Sequence, residues 1–320
     1  MFSHLILKIM VQHLLNNKYK KIKEKYKIYQ DTFFSLIKDK LYRLDAALLD
    51  EICMFLKGSK NIRSIVLIIL ALANGTNIDN KILKLCLITE LIHNASLLHD
   101  DVVDDCDLRR GFATFNKKYD NKFACLLGDY MLTLAVEEML NLNCARIEKK
   151  FNNTINQMCL SEIEQYKNRY KIISLEKYIQ KCIKKTSLLY EASVYAYCSL
   201  YKKDYSIAIK LLRFARYFGI AFQIKDDLNN LVGENKEKPE LNDIKSGIYN
   251  SNVIFANYDY PDLINKTENE YINIIKNEKY TKKSVELIQK YIKKAKKELE
   301  ILENKSYKED LFTIIDMFML

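Results

Sequence analysis

The sequence predicts an all-α fold, one large helical domain. Three observations lead there. Among 320 residues there are Gly 7 and Pro 2, so few helices are broken and few turns punctuated. No segment alternates apolar and polar residues over the length of a strand. Apolar residues instead recur at helical spacing, as from Leu83 to Leu98. A hydrophobic content of 49% supports a substantial core, and no shift in composition marks a linker. A single domain over 1–320 is expected.

Taken in order, Met1 to Lys23 carries Lys, His and apolar residues and no acid. Residues 1–27 read as an N-terminal extension, either an amphipathic first helix or an organelle transit segment. Transit segments favour Arg and Ser, both scarce here, which favours the plain helix. Next, Gly58-Ser59-Lys60-Asn61-Ile62-Arg63 precedes the apolar run Ile65 to Ala73. Gly and Ser suit a helix entry, whose free N–H groups attract an anion beside Lys60 and Arg63. Taken alone, the segment reads more simply as an ordinary cap with two surface cations.

The helix from Leu83 then runs into Asp100-Asp101-Val102-Val103-Asp104-Asp105, followed by Arg109-Arg110-Gly111. Helical residues four apart share a face, so Asp100 lies with Asp104, and Asp101 with Asp105. Carboxylates crowded on one face repel unless a cation joins them. Mg2+ takes one or two carboxylates and completes its shell with water and substrate phosphates. Arg109 and Arg110 keep their charge and suit bidentate phosphate binding. A solvated acidic helix end is the alternative. A second pair, Asp226-Asp227, weakens it, because this pair also follows an apolar segment, Phe218 to Ile224. Two carboxylate clusters, each closing a buried helix, suggest one shared cavity. Between them, Lys184-Lys185-Thr186 sits inside a helix-like stretch from Tyr178 to Ala196.

The formal net charge of +10 is Lys-rich, concentrated at Lys18 to Lys27 and around Lys290 to Lys297. No reading motif accompanies it, so nucleic acid is not an expected partner. An anionic diphosphate or peripheral contact with an anionic membrane suits the charge better. The eight cysteines are scattered with no CxxC pair, and His 4 is too few for a zinc cluster. They read as core residues in a reducing compartment. No apolar run reaches the length of a membrane span once its charges are counted. The expected location is the cytoplasm or an organelle matrix, mitochondrial or plastid, neither secreted nor transmembrane. No GxxxxGK[ST], GxSxG, HExxH or GxGxxG signature is present, which removes P-loop, serine-hydrolase, zinc-protease and dinucleotide chemistries.

The ordered set resembles the trans-isoprenyl diphosphate synthases, or polyprenyl synthetases, and among them most the long-chain enzymes. Their DDxxD followed by RRG is here Asp100 to Asp104, then Arg109-Arg110-Gly111. Their FQxxDDxxD is Phe222 to Asn230, and their GGKRIRP is similar to Gly58 to Ser64. His93 matches the histidine seven residues before the first motif. Ser161-Glu162-Ile163-Glu164-Gln165 matches GExxQ, Lys185-Thr186 matches Lys-Thr, and Gly128-Asp129 matches GD. The resemblance runs from about Gly58 to Ala256. It implies a bundle of the isoprenoid synthase type.

It also implies a reaction. Asp100, Asp101 and Asp104, with Asp226 and Asp227, would hold Mg2+ on an allylic diphosphate. Arg109, Lys185, Gln223 and Lys238 would bind that diphosphate. Ionisation would leave an allylic cation, attacked by the double bond of isopentenyl diphosphate. Lys60, Arg63, His93 and Arg110 would hold this second substrate, and the released diphosphate would take the proton. In this family the product tail grows down the helix of the first motif, past positions four and five before its first Asp. Here these are Ser96 and Ala95, both small, which implies a geranylgeranyl-or-longer product. The family implies a homodimer or, alternatively, a non-catalytic partner in a heteromer with a related subunit. Retention of the whole first motif favours the catalytic reading. Departures are Asn230 for the last Asp of the second motif, Ile248 for a Lys, and Ser59 and Asn61 in the basic loop.

Overall fold

The computed structural model describes residues 17–59, 61–233 and 241–317. The prediction of an all-α architecture holds. Helix α1 covers residues 17–25, followed by α2 (Lys27–Lys40), α3 (Ala46–Lys57), α4 (Ile62–Ala73) and α5 (Asn80–Val103). A small hairpin, β1 (Leu108–Arg109) and β2 (Phe112–Ala113), leads through α6 (Phe115–Lys118) to α7 (Asn121–Leu140) and α8 (Ala145–Lys167). Then come α9 (Leu175–Cys182), a π turn (Ile183–Ser187), α10 (Leu188–Leu200) and α11 (Tyr205–Val232). The remainder is α12 (Asn242–Lys245), α13 (Ser251–Asp259), α14 (Glu268–Ile275), α15 (Glu278–Glu298) and α16 (Lys305–Asp316).

Local chemistry accounts for these boundaries. Asp45, Asp79 and Asp120 each cap a helix, their carboxylates accepting backbone N–H groups that would otherwise be orphaned. Gly233, at φ 75°, ends α11 in the left-handed conformation that such a stop requires. Helix α4 is apolar on nearly every face and buried on nearly every face. Each fully buried Ile or Leu in it contributes about 1.5–3 kcal/mol. One connected apolar core runs from Tyr19 to Ile315.

Helix α5 packs on α7, and α11 packs on α15. Helix α5 is long and apolar enough to cross a membrane, but 67% of its most apolar window is buried inside the bundle. Helix α11 also lies against the π turn, where a Cβ at Gly219 would come within 2.6 Å of Ser187 Cα. Only glycine permits that approach, and the Ser187 hydroxyl then donates to Arg216 O at 3.1 Å. All eight cysteines are free thiols.

Candidate active site

The C-terminal half of α5 builds one wall of a cavity of about 690 Å³. His93, the adjacent Ser96 and Leu97, Asp100 and Asp104 line it, recurring every three or four residues along one helix face. Ala95 does not line it. It lies five positions before Asp100, about 140° around the helix, and is 2% exposed in the core. Of the two positions expected beside a growing tail, Ser96 is the one at the cavity. Its hydroxyl donates to His93 O at 2.8 Å.

Asp101 also departs from expectation. It points into the protein, 2% exposed, and pairs with Arg109, itself 7% exposed. Arg109 Nε donates to Asp101 Oδ1 at 2.9 Å, and a terminal guanidinium nitrogen adds a second bond. Burial disfavours the guanidinium charge, but the Asp101 carboxylate outweighs it and raises the Arg109 pKa. Helix α5 stops at Val103, so Asp105 does not extend the Asp101 face; it sits at φ 49° in the following turn and is exposed. The hairpin accounts for the Arg-Arg-Gly order. Arg109 pairs with Phe112 across it, leaving Arg110 and Gly111 as its two-residue turn, at φ 55° and 83°. Two positive φ values are what a type I′ turn demands, and glycine supplies one without strain. The turn brings Arg109 back onto Asp101 and sends Arg110 to Phe55 O at 2.8 Å.

The second wall comes from α11 and the π turn. Helix α11 does not end at the second motif but continues to Val232, so Asp226 and Asp227 lie within it. Asp226 is exposed to the cavity and Asp227 is buried. Asp227 Oδ1 accepts from Gln223 at 2.7 Å and Oδ2 accepts from the Tyr178 hydroxyl at 2.7 Å. Thr186 in turn donates to Gln223. The π turn breaks the continuous helix expected from Tyr178 to Ala196. Such turns insert one residue and re-aim side chains. Here Lys185 Nζ lies 2.8 Å from Glu162 and 3.7 Å from Asp100. Burial alone would lower its pKa, but Asp100, Glu162 and Asp104 outweigh this and hold the ammonium well above its usual range. Asn230, the neutral replacement, is turned away from the cavity lining; its side-chain oxygen accepts from Asp243 N at 3.3 Å.

A cationic region completes the lining. Arg63, Arg110 and His93 share the cavity with the buried Glu90. The Arg63 guanidinium stands 5.0 Å from the Tyr190 ring centre. Burial, then the charges of Arg63, Arg110 and Arg109, hold the His93 imidazole well below its usual pKa, so it is neutral at pH 7. Lys60 and Lys238 lie outside the described residues. Gln165 of the GExxQ match and Asn229 of the second motif also line the cavity, as do Glu90 and Lys181, which no motif had included. The one acid inside the apolar run Leu83 to Leu98 was the available signal for Glu90.

The donors suit a hard cation. Asp100, Asp104, Asp226 and Asp227 supply only oxygen, the ligand type Mg2+ selects. Among the described residues no three His, Cys, Asp or Glu side chains form a self-contained metal site.

The fold is that of the isoprenyl diphosphate synthases. A polyprenyl synthase from Caulobacter crescentus, solved with calcium and isoprenyl diphosphate, superposes with a TM-score of 0.83 at 22% identity, over 94% of this chain and 97% of that one. A decaprenyl diphosphate synthase from Rhodobacter capsulatus gives 0.85 at 20% identity, over 94% and 98%. Residues 46–292 match the polyprenyl synthetase family model, and the chain belongs to that family. A prenyl transferase of Cyanophora paradoxa is 30% identical over 272 residues, 81% of this chain and 84% of that protein. Component 2 of the Bacillus subtilis heptaprenyl diphosphate synthase is 35% identical over 219 residues, 67% of this chain and 63% of that protein.

Proposed function

We propose that this chain is a Mg2+-dependent prenyltransferase. It condenses isopentenyl diphosphate with an allylic diphosphate into a geranylgeranyl-or-longer polyprenyl diphosphate, within one domain over 1–320. One observation carries the reading: a single cavity gathers carboxylates of α5 and α11 with Arg63, Arg109, Arg110 and Lys185. Asp100, Asp104, Asp226 and Asp227 would hold Mg2+, which when bound supplies stabilisation of charge developing on the leaving diphosphate. Asp101 contributes through Arg109, whose position it fixes. Lys185 keeps a full positive charge beside Asp100 and stabilises the same leaving group.

Arg63, Arg110 and His93 bind the diphosphate of the second substrate, and neutral His93 offers one N–H without adding charge. Lys60 and Lys238 keep the roles their motifs imply. Leu97, Phe222, Ile62 and Ile248 give the cavity apolar stretches that keep water from the allylic cation. The test is incubation with Mg2+, labelled isopentenyl diphosphate and a series of allylic primers, with products sized by chromatography. Absence of labelled product, alone or with a co-purified partner, overturns the reading.

A second reading makes the chain a non-catalytic subunit. The relative named as component 2 of a heptaprenyl diphosphate synthase supports a heteromer. The intact Asp100, Asp101 and Asp104 support catalysis by this chain. The same assay separates them, since a homomeric enzyme elongates without a partner.

Chain length follows from Ser96. Ser96→Phe fills space along the lining face of α5, so the product ladder should shorten while the first condensation survives. Ala95→Phe instead overpacks the core, at a cost of about 1–3 kcal/mol of stability, without shortening the ladder. An unchanged ladder for Ser96→Phe at normal activity removes Ser96 from the product path.

A further inference from the structure

Tyr178 is fully buried on α9 and is absent from the cavity lining. Its hydroxyl donates to Asp227 Oδ2 at 2.7 Å, while Gln223 donates to Oδ1 at 2.7 Å. Gln223 accepts from Thr186, which belongs to the π turn that begins one residue after α9 ends. Asn250 adds a bond to Asp227 O at 3.3 Å. The chain of bonds therefore closes on itself. It leaves α9 at Tyr178, crosses to α11 at Asp227 and Gln223, and returns at Thr186.

We propose that Tyr178 is a positioning residue for the reaction, fixing the rotation of the Asp227 carboxylate and the register of the π turn that carries Lys185. A carboxylate has about four lone-pair directions. Tyr178 occupies one on Oδ2 from behind the lining, and Gln223, itself at the cavity, occupies one on Oδ1. The remaining directions are left for a cation at the cavity that Asp227 lines. Without the hydroxyl, Asp227 keeps one side-chain donor and can turn about its Cβ–Cγ bond. The tie from α9 to α11, just ahead of the π turn, is lost with it, and Thr186 on Gln223 is left to hold the turn to α11. Lys185, one residue from Thr186 and in reach of Asp100 and Glu162, depends on that turn. Tyr178 thus links the carboxylate of one wall to the ammonium facing the other. The inference rests on Asp227 acting as a metal ligand in the proposed reaction.

The experiment is Tyr178→Phe in the full chain, which keeps the ring and its volume. Outer partners of metal ligands commonly carry ten- to hundredfold in metal affinity or activity, so the Mg2+ concentration for half-maximal rate should rise roughly tenfold. Turnover should fall, while KM for isopentenyl diphosphate stays unchanged, because Arg63, His93 and Arg110 are untouched. Calorimetric binding of inorganic diphosphate at fixed Mg2+ should weaken in parallel. A lower melting temperature with unchanged Mg2+ dependence and unchanged diphosphate affinity overturns the proposal and leaves Tyr178 a core residue. If the parent chain shows no turnover, the proposed function fails by itself; the calorimetric comparison still decides the role of Tyr178.

Discussion

Asp100→Ala lowers turnover by roughly two to three orders of magnitude, about 3–4 kcal/mol of barrier. Two losses add up. One of the carboxylates proposed to hold Mg2+ disappears, and so does one anchor of Lys185, which lies 3.7 Å away. Glu162 still holds Lys185 at 2.8 Å, so the ammonium stays in the cavity without its directing partner. Single-turnover measurement at saturating substrates isolates the chemical step. The melting temperature should barely move, because Asp100 is partly exposed and the pair it breaks is long. Near-normal single-turnover rates would move the chemistry away from α5.

Asp101→Ala acts on stability. It leaves the Arg109 guanidinium buried and without its carboxylate. Breaking a buried ion pair from one side costs about 3–5 kcal/mol, far more than the net contribution of the intact pair. A fall in melting temperature of roughly 5–10 °C is expected. Turnover should fall as well, because Arg109 lines the cavity and loses the group that orients it. Asp101→Asn keeps the shape and one acceptor and should sit between the two. Equal melting temperatures for parent and Asp101→Ala would show that Arg109 finds another partner.

The two neighbouring aspartates differ for a reason that spacing along the chain could not disclose. Helical periodicity correctly groups Asp100 with Asp104, and the distance to His93 and Ser96 follows from the same 3.6-residue turn. The same arithmetic turns Ala95 away, so that placement was available from the sequence. Asp101 is different. Its partner stands eight residues later, on the far side of a helix end and inside a hairpin whose strands are two residues long. Nothing in an Arg-Arg-Gly run announces which arginine turns inward. The π turn is equally silent: Ile183 to Ser187 has ordinary helix-forming composition, and the insertion is visible only as a backbone path. The all-α architecture, by contrast, follows from composition, because a chain so poor in Gly and Pro has few other ways to bury half its residues.

The π turn carries a further consequence, in the way this gene can lose function. A π turn spans its ends with one residue more than an α-helical path. An in-frame deletion of a single codon within Ile183–Ser187 would let the segment close as regular α-helix, with backbone bonds satisfied and the bundle still assembled. Side chains on one side of the deletion would then be rotated about 100° against those on the other, and Lys185 would leave Asp100. Catalysis could thus lapse in a descendant that still displays every aspartate. Counting motif carboxylates would record such a copy as intact, whereas its length between Tyr178 and Gly219 would reveal it.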